Sequence, residues 1–134
     1  MLPALNSGGV EQGTLEISRA LVQNGHRSLV VSSGGRQVKD LLDTGATHHQ
    51  FRVDKKRPWS LMLAASMRTL MLEQGVDILH LRSRMPAWIG WLAWRTMPPT
   101  TRPRLVSTVH GFYSVNAYSA IMTRGERVIA VSKK

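Results

Sequence analysis

The groups best suited to chemistry in this sequence are the side chains of His110, Arg82 and Arg84 and the bare backbone of Gly8 and Gly9. His110 follows the apolar run Leu105–Val109 and precedes Gly111, so its imidazole stands where a strand ends and can meet solvent, a ligand or a phosphate. Local sequence leaves a functional and a structural role equally open for it. Arg82 and Arg84 lie two apart, just past the run Val76–Leu81. Guanidinium groups grip phosphate in a bidentate fork, although a solvated turn would use the same residues. Gly8 and Gly9 follow the turn formers Asn6 and Ser7 and precede a helical pattern from Glu11. A helix that opens beside bare glycine backbone points unpaired N–H groups at the turn, which suits a phosphate or carboxylate. A plain strand-turn-helix connection is the other reading. The dinucleotide fingerprint G-x-G-x-x-G is not met: Gly8 and Gly13 fit its outer positions, but Val10 fills the middle one.

The remaining histidines and the tryptophans read differently. His80 sits inside an apolar run, where a histidine ordinarily packs with one ring nitrogen bonded. His48 and His49 are adjacent in an expected strand and face opposite ways, which makes a poor metal pair. No cluster has metal-ligand spacing, and with no cysteine there is neither a disulfide nor a thiolate site. Trp88, Trp91 and Trp94 recur every third residue on an expected helix, which favours packing on a sheet over a stacking platform or a membrane-edge belt.

The elements that must position these groups alternate. Apolar runs at 26–33, 76–81, 105–109 and 127–132, with a weaker one at 46–53, predict strands, and helical spacing predicts helices over 11–24, 36–44, 59–74, 86–96 and 114–123. Strands that are apolar throughout and alternate with helices indicate a parallel sheet covered on both faces, a doubly wound α/β domain. Ligands in such domains bind beyond the carboxyl ends of the strands. The turn at residues 6–9, the loop at 82–84 and His110 all fall there.

With 134 residues and 43% hydrophobic content the chain fits one domain with a real core. The net charge of +10 favours anionic partners, but the basic residues are dispersed, and only Lys55-Lys56-Arg57 form a run. Pro3, Asn6, Gly8 and Gly9 interrupt any secretory leader, and no uncharged apolar stretch reaches the roughly 18 residues that span a bilayer. The expected site of action is a reducing compartment, the cytoplasm, with room for peripheral contact at an anionic membrane surface.

Taken in order, Leu-Pro-Ala-Leu-Asn-Ser-Gly-Gly-Val-Glu at 2–11, Ala-Leu-Val-Gln-Asn-Gly-His at 20–26, Val-Asp-Ile-Leu-His-Leu-Arg-Ser-Arg at 76–84, Ser-Thr-Val-His-Gly at 107–111 and Arg-Val-Ile-Ala-Val-Ser at 127–132 resemble glycosyltransferase family 4, in particular bacterial members acting on lipopolysaccharide-type acceptors. The resemblance covers essentially the whole chain. It implies one half of a GT-B fold, in which two Rossmann-like domains face across a cleft. It implies transfer of a sugar, of hexosyl type, from a nucleotide-sugar with retention, with no metal and no cofactor. Residues 1–134 would be the amino-terminal, acceptor-side domain, truncated at both ends. By the same resemblance Gly8 and Gly9 match the turn that approaches the donor phosphates and sugar, His110 matches the catalytic histidine facing the donor sugar, and Arg82 and Arg84 match the loop lining the acceptor side. Expected partners are the nucleotide-sugar, a glycan or lipid-linked acceptor, and a missing carboxyl-terminal domain.

Two departures from the family pattern bear on activity. Only Met1 and Leu2 remain to supply the first, central strand, so its neighbours are expected to expose apolar edges. The second domain, which in the family holds the donor, is absent, and the fragment alone is expected to be inactive. Rival readings fit less well. A basic nucleic-acid-binding module explains charge and tryptophans but leaves the strand-end turns unused, so no nucleic-acid partner is expected. A dinucleotide oxidoreductase conflicts with Val10 and with Ser32-Ser33-Gly34, where an acidic residue would close the second strand.

Overall fold

Strands and helices alternate along the chain as α1 (Gly9–Gln23), β1 (Leu29–Ser32), α2 (Val38–Asp43), β2 (Thr47–Gln50), α3 (Ser60–Gln74), β3 (Ile78–Leu81), α4 (Arg84–Thr96), β4 (Arg104–Val109), a 3-10 helix (Ser119–Thr123) and β5 (Arg127–Ala130). This computed structural model describes residues 1–6, 8–53, 60–110 and 116–131, with the backbone alone at 60 and 61. All strand pairs are parallel, but they form two sheets, β1–β2 and β3–β4–β5, where the sequence predicts one. The chain divides into two compact units, Leu2–Asp54 and Met1 with Lys55–Lys134.

In the unit Leu2–Asp54, β1 and β2 pair with Leu29 opposite Thr47 and Ser32 opposite Gln50. The segment Leu2–Leu5 follows β1 with strand-like bonds: the Leu2 N–H donates to Val31 O at 3.1 Å, Ser33 N–H to Pro3 O at 2.8 Å, and Leu5 N–H to Gly34 O at 2.8 Å. Short as it is, this segment buries Leu2 and Leu5 completely, beside Leu15, Val30, Leu41 and Ala46. Gly35 has φ +142°, and a side chain there would run into the Leu5 carbonyl, so glycine is what lets the chain close over this segment. A buried hydrogen bond of 2.9 Å from Ser28 Oγ to Ser18 Oγ satisfies the two hydroxyls on the inner side of α1.

In the other unit, β3, β4 and β5 pair with Ile78 opposite Arg104 and Val109 opposite Ala130. Gly90 lets α4 settle on the sheet: a Cβ there would lie 2.6 Å from Leu81 Cδ2 and 3.6 Å from Leu79 Cδ2. Leu79 and Leu81 therefore face α4, and strict alternation turns His80 to the opposite face. On the α4 side Ser107 Oγ donates to Met122 O of the 3-10 helix at 2.7 Å. Pro86 lies in the first turn of α4, where a missing N–H costs no helical bond, so the helix starts at Arg84, two residues before the sequence pattern places it. The helix expected over 114–123 is instead the short 3-10 turn from Ser119, whose N–H is held by Asn116 Oδ1 at 2.8 Å; residues 114 and 115 lie outside the described part. Strand β5 pairs only with β4 among the described residues, and its apolar Val128 and Ile129 are each 47% exposed, where the apolar pattern predicts burial.

Candidate functional site

The carboxyl ends of β3 and β4 bring four polar side chains onto one face. His80 Nε2 lies 2.5 Å from Thr108 Oγ1, which fixes both on the face turned away from Leu79 and Leu81. Arg82 and His110 each follow two residues later along the same strands, and alternation carried past the strand ends puts them on that face too. Burial, the Met1 ammonium, Arg82 and His110 together lower the His80 pKa from 6.5 to about 4, so the ring is neutral at pH 7. The Met1 ammonium donates to His80 O at 2.7 Å, and burial followed by Arg82 lowers its pKa from 8.0 to about 5. It too is largely neutral at pH 7.

Arg82 is the fixed cation of this group. It is only 6% exposed, its Nε has no hydrogen-bond partner, and no carboxylate pairs with it among the described residues. Burial lowers its pKa, yet a guanidinium stays charged at any ordinary pH. The carboxylates of this unit lie elsewhere: Asp77 directly precedes β3, Glu126 directly precedes β5, and Glu73 ends α3. Glu126 is held by Arg104 at 3.2 Å. The strand entrances are thus mixed in charge, and among the described residues the exits of β3 and β4 carry bases and no carboxylate.

Arg84 behaves otherwise. Its Nη1 donates to Ser119 Oγ at 3.0 Å, and its guanidinium lies 5.2 Å from the Tyr118 ring centroid. Burial raises the Tyr118 pKa, and the Arg84 charge opposes that rise. Arg84 ties the start of α4 to the 3-10 segment, so the two arginines that the sequence pairs have separate surroundings. His110 is half-buried at the end of β4, and its neighbour Gly111 lies outside the described residues.

The glycine turn belongs to the unit Leu2–Asp54. Gly8 is the N-cap of α1 with φ 137° and ψ 176°, a conformation reserved for glycine, and its carbonyl accepts the Gln12 N–H at 3.0 Å. Gly9 is the first helical residue, with open space where a Cβ would stand. The helix therefore opens two residues earlier than Glu11, and only Gly8 is conformationally required. Among the described residues no side chain caps this end, which leaves first-turn N–H groups unpaired as the sequence suggests, with the Glu11 carboxylate close to Gly8.

Sequence reasoning misses two features. Thr108 is silent until the strands are in register, because only the pairing of His80 with Val106 brings it to the imidazole. The tryptophans are not simple core residues: Trp88 and Trp94 donate to Tyr118 O at 3.0 Å and Pro103 O at 2.7 Å, and Trp91 lies 5.2 Å from both Arg95 and Arg124. The Trp91–Arg95 spacing of one helical turn is the signal that could have shown the cation contact.

The Glycosyltransferase Family 4 model matches residues 7–134. The chain belongs to that family. A solved structure, a glycosyltransferase from Rickettsia africae ESF-5, is 35% identical with a TM-score of 0.80 over 98% of this chain. The match spans only 35% of that longer chain. No curated protein sequence matches. As a family 4 chain, this molecule has the expected α/β architecture of parallel sheets flanked by helices. Among the described residues no helix is long and apolar enough to cross a membrane, and no group of three or more His, Asp or Glu could hold a metal ion.

Proposed function

We propose that this chain is the acceptor-side domain of a glycosyltransferase that moves a sugar, of hexosyl type, from a nucleotide-sugar to a glycan or lipopolysaccharide-type acceptor with retention. The observation that carries the reading is the family match over residues 7–134. The placement of bases and of uncapped backbone at strand exits, where α/β sheets bind ligands, supports it.

In this reading the chemistry divides among three groups. First-turn N–H groups of α1, bared by Gly8 and Gly9, approach the donor diphosphate and sugar and stabilise charge that develops as the diphosphate departs. His110 serves the donor sugar as an oriented polar group at the exit of β4. Arg82 and Arg84 line the acceptor side. The donor nucleotide is held by a second domain. The reaction needs neither metal nor cofactor, because fixed dipoles and cations supply the electrostatic stabilisation. The site of action is the cytoplasm, with the basic surface resting against an anionic membrane face.

The test uses the whole two-domain protein with a panel of nucleotide-sugars and deacylated lipopolysaccharide acceptors. A new glycosidic bond with the anomeric configuration of the donor, read by NMR, is the expected product. Hydrolysis or oxidation of the donor in its place, or an inverted product, would defeat the reading.

A further inference from the structure

We infer that Arg82, with Thr108 and His110 beside it, seats an oxyanion, a phosphate or carboxylate carried by the acceptor. This rests on the reading of the chain as the acceptor-side domain. An arginine 94% removed from solvent normally has a carboxylate or several carbonyls around it, because an uncompensated buried charge is costly. Arg82 has an unpartnered Nε and no paired carboxylate among the described residues. The surrounding groups deepen the deficit. His80 already has Thr108, the Met1 ammonium already has His80 O, and none of the three carboxylates Glu73, Asp77 and Glu126 lies at the strand exits.

The missing partner is therefore an anion that arrives with a ligand. A guanidinium selects a planar or tetrahedral oxyanion able to accept two parallel N–H bonds, which a neutral sugar hydroxyl cannot match. Thr108 lies on the same face with its hydroxyl against His80 Nε2, and the half-buried His110 follows it at the end of β4. Arg84 does not share this task, since Ser119 and Tyr118 occupy it.

The experiment is a titration of the ¹⁵N-labelled 134-residue chain with inorganic phosphate at constant ionic strength, following arginine Nε–H resonances assigned from the backbone. The expected result is a saturable shift of the Arg82 Nε–H and of the Thr108 backbone amide, unchanged within about twofold by Arg95→Ala, with the affinity read at Thr108 weakened about ten- to hundredfold by Arg82→Gln, the scale of losing a charge-assisted bidentate pair. No saturable shift, or a Thr108 amide shift of undiminished affinity in Arg82→Gln, overturns the inference. Should Arg82→Gln not fold, the wild-type titration still decides, because a buried arginine used only for structure does not respond to phosphate. In a second arm, a hexose 6-phosphate is expected to bind more tightly than a nucleoside diphosphate, and the reverse order would reject the acceptor as the source. None of these measurements needs sugar transfer, so a failed oxyanion site and a failed transferase reading are told apart.

Discussion

The turn before α1 and the exits of β3 and β4 offer negative groups two different kinds of partner. At the turn there is no cation: a glycine at φ 137° opens a helix without a side-chain cap among the described residues, and the charged side chain beside it is the Glu11 carboxylate of the first turn. At the strand exits the backbone is occupied by its ladder, and the attraction comes from a buried guanidinium that has no carboxylate among the described residues. Backbone dipoles cost nothing to desolvate beyond what folding already requires, whereas a buried charge is destabilising until a counterion meets it. The first kind tolerates many ligands. The second demands one.

Under the proposed reading the donor nucleotide is held by a second domain, so neither group suffices for transfer. The 134-residue chain alone is then expected to show no sugar transfer in the nucleotide-sugar panel, and turnover near the common enzymatic scale of roughly 1 per second would remove the division of labour proposed above. Next in size is His110→Ala in the whole two-domain protein. Losing one oriented polar group at a donor sugar should lower turnover by about two orders of magnitude or more. Stability should change by less than about 1 kcal/mol, as expected for a half-buried strand-end residue. Normal turnover with a large stability loss would make His110 a packing residue.

Much of the fold is legible in the sequence because its signals are local. Apolar runs at 76–81 and 105–109 give β3 and β4, and Gly25, Gly45 and Gly75 end α1, α2 and α3 near where the pattern stops. What escapes is what depends on pairing. The split into two sheets, the strand-like service of Leu2–Leu5 and the exposure of β5 follow from which strands meet, and apolar content says nothing of that. The same holds for the site. Arg82 and Arg84 look equivalent in sequence, yet Arg84 has Ser119 and Tyr118, more than thirty positions away, and Arg82 is buried with no carboxylate among the described residues.

The glycine turn yields the next contrast, between two residues that the sequence treats as one. Gly8→Ala forces a side chain into a backbone region closed to it and should cost about 1–3 kcal/mol. Gly9→Ala meets open space in a helical conformation and should be neutral or stabilise by up to about 1 kcal/mol, because alanine leaves the unfolded chain less freedom. Chemical denaturation of both variants checks this. In the whole protein, activity of Gly9→Ala then isolates ligand approach: a loss of turnover without a loss of stability would mean that the donor needs the bare backbone of Gly9 as well.

The smallest effect concerns His80, which separates folding electrostatics from ligand binding at the strand exits. Its pKa is about 4 in the folded chain and 6.5 when unfolded, with burial the leading cause. The unfolded state therefore binds the extra proton between those values, and stability is fully present above pH 6.5 and lost as pH falls toward 4. The whole difference corresponds to about 3 kcal/mol, and solvent screening of a partly exposed ring reduces the expected loss to about 1–2 kcal/mol. Other groups titrate in the same window, so the measurement is the difference between wild type and His80→Asn, each denatured with urea at pH 7 and pH 4.5. Wild type should lose more stability than the variant on acidification. Phosphate adds a sharper version: an oxyanion on Arg82 offsets one of the positive charges acting on His80, so saturating phosphate should raise the His80 pKa and shrink the acid loss. Equal acid slopes in both proteins would mean that the ring takes its proton without strain, and that the positive group at the exits of β3 and β4 is better solvated than its burial indicates.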